Sequence, residues 1–258
     1  MNIRSLIKRI PSGVMILIAI NICILVVLTF VNFGLRMSGS ETQAAGWLDL
    51  PAGTGFLERP WTVVTYMFTQ TDIWHAIFNM LWLYWFGMMF QNLTSPGRLI
   101  RLYLIAGLAG AAAYIAGSLI WVNAAGTGLE GASAAVMGIV TATACMAPDY
   151  KLSLFLFGQV KLKWIAIVTI GLFALGLTGS NAGAHIAHFG GVAAGAGYAV
   201  TIRYRLRRKR LVKYDSASIP EADARRELDQ LLDKVRRSGY GSLTAAEQRR
   251  LFELSRHV

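Results

Sequence analysis

Two polar side chains in strongly apolar surroundings could together carry out chemistry. Ser133 follows Gly131 and Ala132 in a run of small residues, and His188 lies in the segment 187–191, which contains two glycines, on another apolar stretch. A lipid bilayer tolerates few polar groups that have no task. A serine becomes a nucleophile when a base lies within hydrogen-bond reach, and histidine is the usual base. The two residues therefore predict a catalytic pair inside a bilayer.

A second pair, His75 and Asn79, could stabilise the charge that such an attack produces. The two residues are four apart in an apolar stretch, so both side chains lie on one helix face. The oxyanion of an acyl transfer needs donors, which a backbone N–H and Asn or His side chains can supply. Asp72 and Glu130 lie only at the edges of the apolar stretches, and no Asp or Glu lies within them. A dyad is therefore more natural here than a triad.

Each of these residues also has a structural interpretation. A membrane serine often bonds the carbonyl one turn back, and histidine or asparagine can join helices by hydrogen bonds. A metal site of His75, His185 and His188 is a further alternative. The sequence has no H-E-x-x-H motif and no membrane carboxylate to complete a hydrolytic zinc site. These polar residues lie at a similar predicted depth in the bilayer, on helices with faces of small residues. That combination favours catalysis.

The composition is typical of a membrane protein. Of the 258 residues, 55% are hydrophobic and only 15% are charged, whereas about a quarter are charged in soluble domains. The formal net charge of +11 alone could indicate nucleic-acid binding. The basic residues instead crowd the ends and alternate loops, as membrane orientation requires. We therefore expect a lipid bilayer and no nucleic acid as partner.

Six apolar stretches predict six membrane-spanning helices. Residues 14–33 are uncharged and are about long enough to cross a hydrocarbon core of ~30 Å. In the long loop 34–72, Trp47, Trp61 and Tyr66 are typical of the headgroup layer. The other five stretches are 73–91, 99–121, 131–147, 163–178 and 183–202.

The loop charges predict the side that the termini face. Six spans put both termini on one side, where 1–13, 92–102 and 148–163 carry three, two and three Lys or Arg residues. A basic run also follows the last span on that side. On the other side, 34–72 carries two such residues and the short loops carry none. Because cytoplasmic loops are the basic ones, we expect both termini in the cytoplasm.

The C-terminal residues 204–258 predict a basic juxtamembrane segment and a small cytoplasmic helical hairpin. Capping boxes at 218–221 and 244–247 mark two helix starts, and Gly239 and Gly241 end the first helix. A unit of about forty residues is small for independent stability. A solvated accessory hairpin is favoured over a role in membrane-surface binding or self-association.

These motifs resemble those of the rhomboid intramembrane serine proteases, and the resemblance covers about residues 11–203. The family's G-x-S-G motif is matched at 131–134, except that alanine ends it. Its H-x-x-x-N motif is matched at 75–79, and its A-H-x-x-G-x-x-x-G motif at 187–195. Residues 59–66 resemble the signature that precedes the second span. Four motifs in the right order, with six spans, make the resemblance specific.

The resemblance implies Ser133 as nucleophile and His188 as general base. It also implies an oxyanion hole formed by the Ser133 backbone N–H with the His75 and Asn79 side chains. His188 is preferred to His185, because only the glycines after His188 fit the motif. Neither a cofactor nor a metal is implied.

We therefore expect an all-α polytopic membrane protein with a cytoplasmic N-terminus at 1–13, a six-span rhomboid domain at 14–203 and the tail at 204–258. In a bacterial-type plasma (inner) membrane it would hydrolyse peptide bonds in or beside transmembrane helices of other proteins. Such helices would have to unwind locally, so Gly, Pro or small residues are expected near the cut. The alternative is a catalytically silent relative that binds membrane clients. A transporter is disfavoured by the lack of carboxylates at mid-membrane.

Three positions depart from the family's pattern. Ala134 stands in place of a glycine, and Met137 stands where some members have a tyrosine that packs against the histidine. Gln70, five residues before His75, stands where some members have another histidine. None of the three removes a catalytic group, so activity is favoured.

Overall fold

The structure, a computed structural model, is mostly helical and describes residues 12–121, 128–154, 158–176, 182–217 and 221–255. The chain divides into two compact units, Met1–Ile202 and Arg203–Val258. Several predicted features lie outside the described residues, in whole or in part: the basic segment 1–13, the loops 122–130 and 179–182, and the start of the capping box 218–221.

A helix corresponds to each of the six predicted apolar stretches. The α-helices up to the end of the last stretch are α1 (Ser12–Met37), the short α2 (Thr62–Thr65), α3 (Ile73–Leu93), α4 (Pro96–Ile120), α5 (Ser133–Met146), α6 (Leu162–Gly176) and α7 (Ala182–Ala217). Among the described residues, Gly13–Met37 and Pro96–Ile120 are long and apolar enough to cross a bilayer. Ser133–Met146 and Leu162–Leu172 are apolar but shorter.

The long loop between α1 and α3 contains short helical turns and packs partly into the protein. Trp47 and Trp61 are exposed, and the indole N–H of Trp61 donates to the carbonyl oxygen of Trp47 at 2.9 Å. Tyr66 differs from the expectation of a ring in the headgroup layer, because it is fully buried. Its hydroxyl donates to the carbonyl oxygen of Gly107 on α4 at 2.6 Å. The loop is thereby anchored to α4.

Helix α5 is the central element of the first unit. Its residues from Ala134 to Ala144 are all buried, although most are small. It packs against α3, α4 and α6. A Cβ atom added to Gly138 would come closer than 3.0 Å to the side chain of Ala106 on α4, so the two backbones need the absence of a side chain there. A helix that is apolar on all sides is stable only when it is surrounded in this way.

The expectation of an all-α fold is wrong in one detail. Residues 148–163, predicted as a loop, contain the antiparallel strands β1 (Lys151–Leu154) and β2 (Gly158–Lys161). Polar and apolar residues alternate along β1, which is the period of a strand, and Gly158 has a φ of +66°. Lys161 and Lys163 both contact the carboxylate of Asp149 at 3.1 Å.

The second unit contains helices α8 (Glu221–Ser238) and α9 (Ala245–Leu254) around a small apolar cluster. Its buried members are Leu231, Leu243 and Leu254. The predicted capping box at 244–247 is confirmed: the Thr244 backbone N–H donates to the Glu247 carboxylate at 2.8 Å, and the Glu247 N–H donates to the Thr244 hydroxyl at 3.3 Å. Together these contacts define the start of α9.

Candidate active site

Ser133 and His188 meet within hydrogen-bond distance. The Nε2 atom of His188 lies 2.7 Å from the Oγ atom of Ser133, although 55 residues separate them in the chain. Ser133 is the first residue of α5, and His188 lies in the first two turns of α7. Only 7% of the His188 surface is exposed. A hydroxyl and an imidazole are thus held together in a largely water-excluded position.

Glycines on α7 allow this approach. A Cβ atom on Gly191 would come closer than 3.0 Å to the carbonyl oxygen of Ala134, and one on Gly195 would come equally close to the carbonyl oxygen of Gly138. Such distances are not compatible with a side chain. The glycines that follow His188 at the third and seventh positions therefore bring the backbones of α5 and α7 into contact, as small-xxx-small faces do in membranes.

The start of α5 places a backbone donor next to the serine hydroxyl. Ala132 is the N-cap residue, and the Val136 N–H donates to its carbonyl oxygen at 2.9 Å. The Ser133 N–H precedes this bond and has no acceptor within the helix. It lies at the positive end of the helix dipole, where a developing negative charge is stabilised. Gly131 has a φ of +112°, a conformation that favours glycine, and its N–H donates to the Tyr66 carbonyl oxygen at 2.9 Å.

His75 and Asn79 lie on α3 beside the same position. Asp72 caps α3 by accepting a 2.6 Å hydrogen bond from the His75 backbone N–H. The His75 ring lies next to Gly131, because a Cβ atom added to that glycine would be 3.0 Å from the His75 Cε1 atom. His75 is exposed, whereas Asn79 is buried.

A cavity of about 260 Å³ joins all four predicted residues. Its lining is formed by His75, Phe78, Asn79, Trp82, Ser133, Val136, Met137, Thr169 and His188. The polar atoms of the dyad and of α3 therefore open into one largely apolar space. Donors and a nucleophile around one small cavity could accommodate a carbonyl group that is under attack.

His185 contacts His188 but is not among the residues that line this cavity. The two imidazole rings are perpendicular, with centroids 5.7 Å apart. Across the described parts of the chain, no three His, Cys, Asp or Glu side chains are grouped closely enough to hold a metal ion. The structure thus brings His75 and His188, rather than His185, to Ser133.

The segment that leads into Ser133 is tied to the long loop. Leu50 and Leu129 exchange backbone hydrogen bonds of 2.9 and 2.8 Å, and the Thr71 hydroxyl donates to the Glu130 carboxylate. Beside this bridge, the pKa of Asp49 is raised to about 7, mainly by burial and also by the Glu130 carboxylate, while the Arg59 guanidinium opposes both. A carboxyl group that is partly protonated near neutral pH therefore lies at this junction.

The three departures from the family's pattern each have a structural setting. Ala134 packs against Gly110 of α4, where a Cβ atom would lie 2.7 Å from the Ala134 Cβ. Met137 is buried and lines the cavity. Gln70 is hydrogen-bonded to Asn79 on one side and to Asn21 of α1 on the other. The last contact was not predicted, although an amide within an otherwise apolar run is a signal that could have indicated it.

Comparison with known proteins identifies the family. Residues 57–205, more than half of the chain, match the Rhomboid domain, and the chain belongs to the rhomboid family. The resemblance drawn from the motifs is thereby confirmed. Residues 220–257 match a family of unknown function (DUF6576).

A curated relative has the same family name. RHOMBOID-like protein 12, mitochondrial, from Arabidopsis thaliana is 31% identical over 149 residues. The match covers 52% of this chain and 44% of that protein, so the chain spans less than half the length of this relative.

Proposed function

We propose that the protein is an intramembrane serine endopeptidase. The observation that carries this proposal is the 2.7 Å contact between the Ser133 hydroxyl and the His188 imidazole. Membership of the rhomboid family supports it. The substrates are membrane proteins that present a transmembrane helix to the enzyme, and the chain's own residues supply the chemistry.

The proposed reaction has two steps. The Ser133 Oγ atom attacks the carbonyl carbon of the peptide bond while its proton moves to the His188 Nε2 atom. The tetrahedral intermediate collapses, the C–N bond breaks, and His188 gives its proton to the leaving amine. A water molecule then attacks the acyl-serine ester with His188 as base, which releases the acid product and restores the hydroxyl.

Three donors are available for the oxyanion in this proposal. The Ser133 backbone N–H has no intrahelical acceptor, and the His75 and Asn79 side chains line the same cavity. Loss of one such donor typically slows acyl transfer by about 10²–10³-fold. The cavity of about 260 Å³ has room for small side chains next to the cut, which fits a substrate that is locally unwound.

We further propose that the six helices α1 and α3–α7 cross the membrane. An exposed apolar face on α3, formed by Trp74, Ile77, Leu81 and Trp85, supports this because the spacing is that of one helix side and such faces are unfavourable in water. In this arrangement 14–203 is the protease domain, both termini face the cytoplasm, and the tail forms a helical hairpin. The positive loops on the terminal side support the cytoplasmic orientation of the termini, and the membrane in this proposal is a bacterial inner membrane.

Cleavage of a single-span reporter protein in liposomes tests the proposal. We expect Ser133→Ala and His188→Ala each to lower the cleavage rate by roughly a thousandfold or more. Ser153→Ala on β1, which removes an exposed hydroxyl far from the cavity in sequence, is the matched control and should cleave normally. Equal cleavage by wild type and Ser133→Ala would contradict the proposal. Binding of the reporter without cleavage by any variant would favour a silent, client-binding rhomboid relative.

A further inference from the structure

A chain of three buried amides connects the first helix to the cavity. The Asn79 Nδ2 atom donates to the Gln70 Oε1 atom at 2.9 Å. The Gln70 Nε2 atom donates to the Asn21 Oδ1 atom at 3.1 Å. The Asn21 Nδ2 atom donates to the Leu17 carbonyl oxygen at 2.9 Å. We call this set, Asn21, Gln70 and Asn79, the amide chain.

The direction of the amide chain is fixed at its far end. A carbonyl oxygen such as that of Leu17 can only accept, so the NH₂ group of Asn21 must face it. The same NH₂ group lies 3.2 Å from the Tyr103 hydroxyl. That hydroxyl uses its own hydrogen to donate to the Met67 carbonyl oxygen at 2.7 Å, and it therefore accepts from Asn21. The oxygen of Asn21 is left to face Gln70.

The consequence passes from one amide to the next. Since the Asn21 oxygen faces Gln70, the Gln70 NH₂ group must face Asn21 and its oxygen must face Asn79. Asn79 then has to present its NH₂ group rather than its oxygen to Gln70. One N–H of that NH₂ group is used in this bond, and the second remains for the cavity that Asn79 lines.

Burial makes this order energetically strict. Asn21 and Gln70 are each only 1% exposed. Turning Asn21 or Gln70 by 180° would set oxygen against oxygen and NH₂ against NH₂ where water cannot compensate. Turning Asn79 would set its oxygen against the Gln70 oxygen. An unsatisfied buried polar group costs about 1–3 kcal/mol, so the reversed chain is rarely populated.

We propose that Asn21 and Gln70 are positioning residues that hold the Asn79 carboxamide with its NH₂ group toward the oxyanion of the reaction. This inference rests on the proposed protease function. It links α1, which does not line the cavity, to stabilisation of the transition state. The donor is needed only when the oxyanion forms, so its loss lowers kcat with little change in KM.

Reporter cleavage by near-isosteric variants of the full chain measures this effect. We expect Asn21→Leu to lower kcat roughly tenfold and to leave KM within about twofold of wild type. Gln70→Met should have an equal or larger effect, because it frees Asn79 directly. Asn32→Leu is the matched control: it removes an amide from the same helix, one that accepts from the Ala44 backbone N–H and is outside the amide chain.

Double variants separate positioning from a general loss of stability. If Asn21 acts through the amide chain, Asn21→Leu should not lower kcat further in a protein that already carries Gln70→Met or Asn79→Ala. Any effect of Asn32→Leu on kcat should instead multiply with the effect of Gln70→Met and with that of Asn79→Ala. A wild-type kcat in Asn21→Leu, or losses that multiply in both double variants, would overturn the inference. A folded wild-type protein that cleaves no reporter would instead contradict the protease function itself.

Discussion

The α-carbon of Gly191 lies so close to Ala134 that a Cβ atom there would come within 3.0 Å of the Ala134 carbonyl oxygen. Ala134 follows Ser133, and Gly191 follows His188 by three residues. The contact between two backbones therefore sets the distance between the two side chains of the proposed dyad. Because this distance depends on packing rather than on the dyad itself, it can be changed without touching a reacting group.

Substitution of Gly191 should move Ser133 and His188 apart without altering either residue. We expect Gly191→Ala to lower reporter cleavage by roughly a hundredfold, since displacement of a catalytic group by about 1 Å has costs of this order. Gly197→Ala is the matched control on the same helix, because a Cβ atom there meets nothing within 4 Å. That variant should keep wild-type activity. Similar rates for Gly191→Ala and Gly197→Ala would contradict the packing account.

The buried hydroxyl of Tyr66 should contribute to the stability of the first unit. Tyr66→Phe removes its 2.6 Å hydrogen bond to the Gly107 carbonyl oxygen. We expect the free energy of unfolding to fall by about 1 kcal/mol, the usual value for one such bond. Equilibrium unfolding of the protein in mixed detergent measures this free energy. Tyr150→Phe, which removes an exposed hydroxyl, should change nothing, and an equal loss in both variants would argue against a specific role of the Tyr66 hydroxyl.

The Asp49 carboxyl group should make stability depend on pH. Burial and Glu130 raise its pKa in the folded protein from 3.8 to about 7. The folded state therefore binds the proton more tightly than the unfolded state, so the contribution of Asp49 to stability is lost as pH rises from about 4 to 7. Asp49→Asn removes the ionisation.

Thermal unfolding of detergent-solubilised protein at pH 5 and pH 8 tests this prediction. Relative to wild type, Asp49→Asn should be more stabilising at pH 8 than at pH 5. Glu58→Gln, which alters an exposed carboxyl in the same loop, serves as control and should show no such difference. If the difference in unfolding temperature between Asp49→Asn and wild type were the same at both pH values, the pKa of Asp49 would not be raised in the folded protein.

The capping box of α9 should hold the start of that helix. Thr244→Ala removes the hydroxyl that accepts from the Glu247 N–H, and we expect local opening of α9 to become easier by about 1 kcal/mol. Hydrogen exchange of the α9 amides in the full chain measures this change. Thr244→Ser keeps the oxygen and should exchange like wild type, whereas equal protection in Thr244→Ala would mean that the box contributes nothing.

Much of the fold could be predicted from the sequence because the signals are strong and local. Apolar stretches bounded by charges mark the helices, and the 244–247 box marks a helix start to within a residue. The strands within 148–163 were missed because a four-residue alternation is short and its pairing depends on the turn. Tyr66 was misjudged because an aromatic ring near a span suits a lipid interface and a protein core equally well.

The sequence could predict the residues of the candidate site only where a single polar residue stands out from its apolar neighbours. Ser133, His188, His75 and Asn79 do so because polar groups are rare in apolar helices. The contact of Gln70 with Asn21 joins residues 49 apart in sequence, on a loop and a helix whose relative position is a property of the whole bundle. An amide side chain can form hydrogen bonds with many kinds of partner, so the sequence does not indicate which residue Gln70 bonds.

The residue that reacts with a fluorophosphonate, a reagent that modifies activated serines, tests the proposed Ser133–His188 dyad directly. The protein in detergent is treated with the reagent, digested and analysed by mass spectrometry. We expect one adduct on Ser133, abolished by His188→Ala and retained in His185→Ala, since the His188 Nε2 atom lies 2.7 Å from the serine oxygen. An adduct on another residue, or undiminished labelling of Ser133 in His188→Ala, would contradict the proposed dyad.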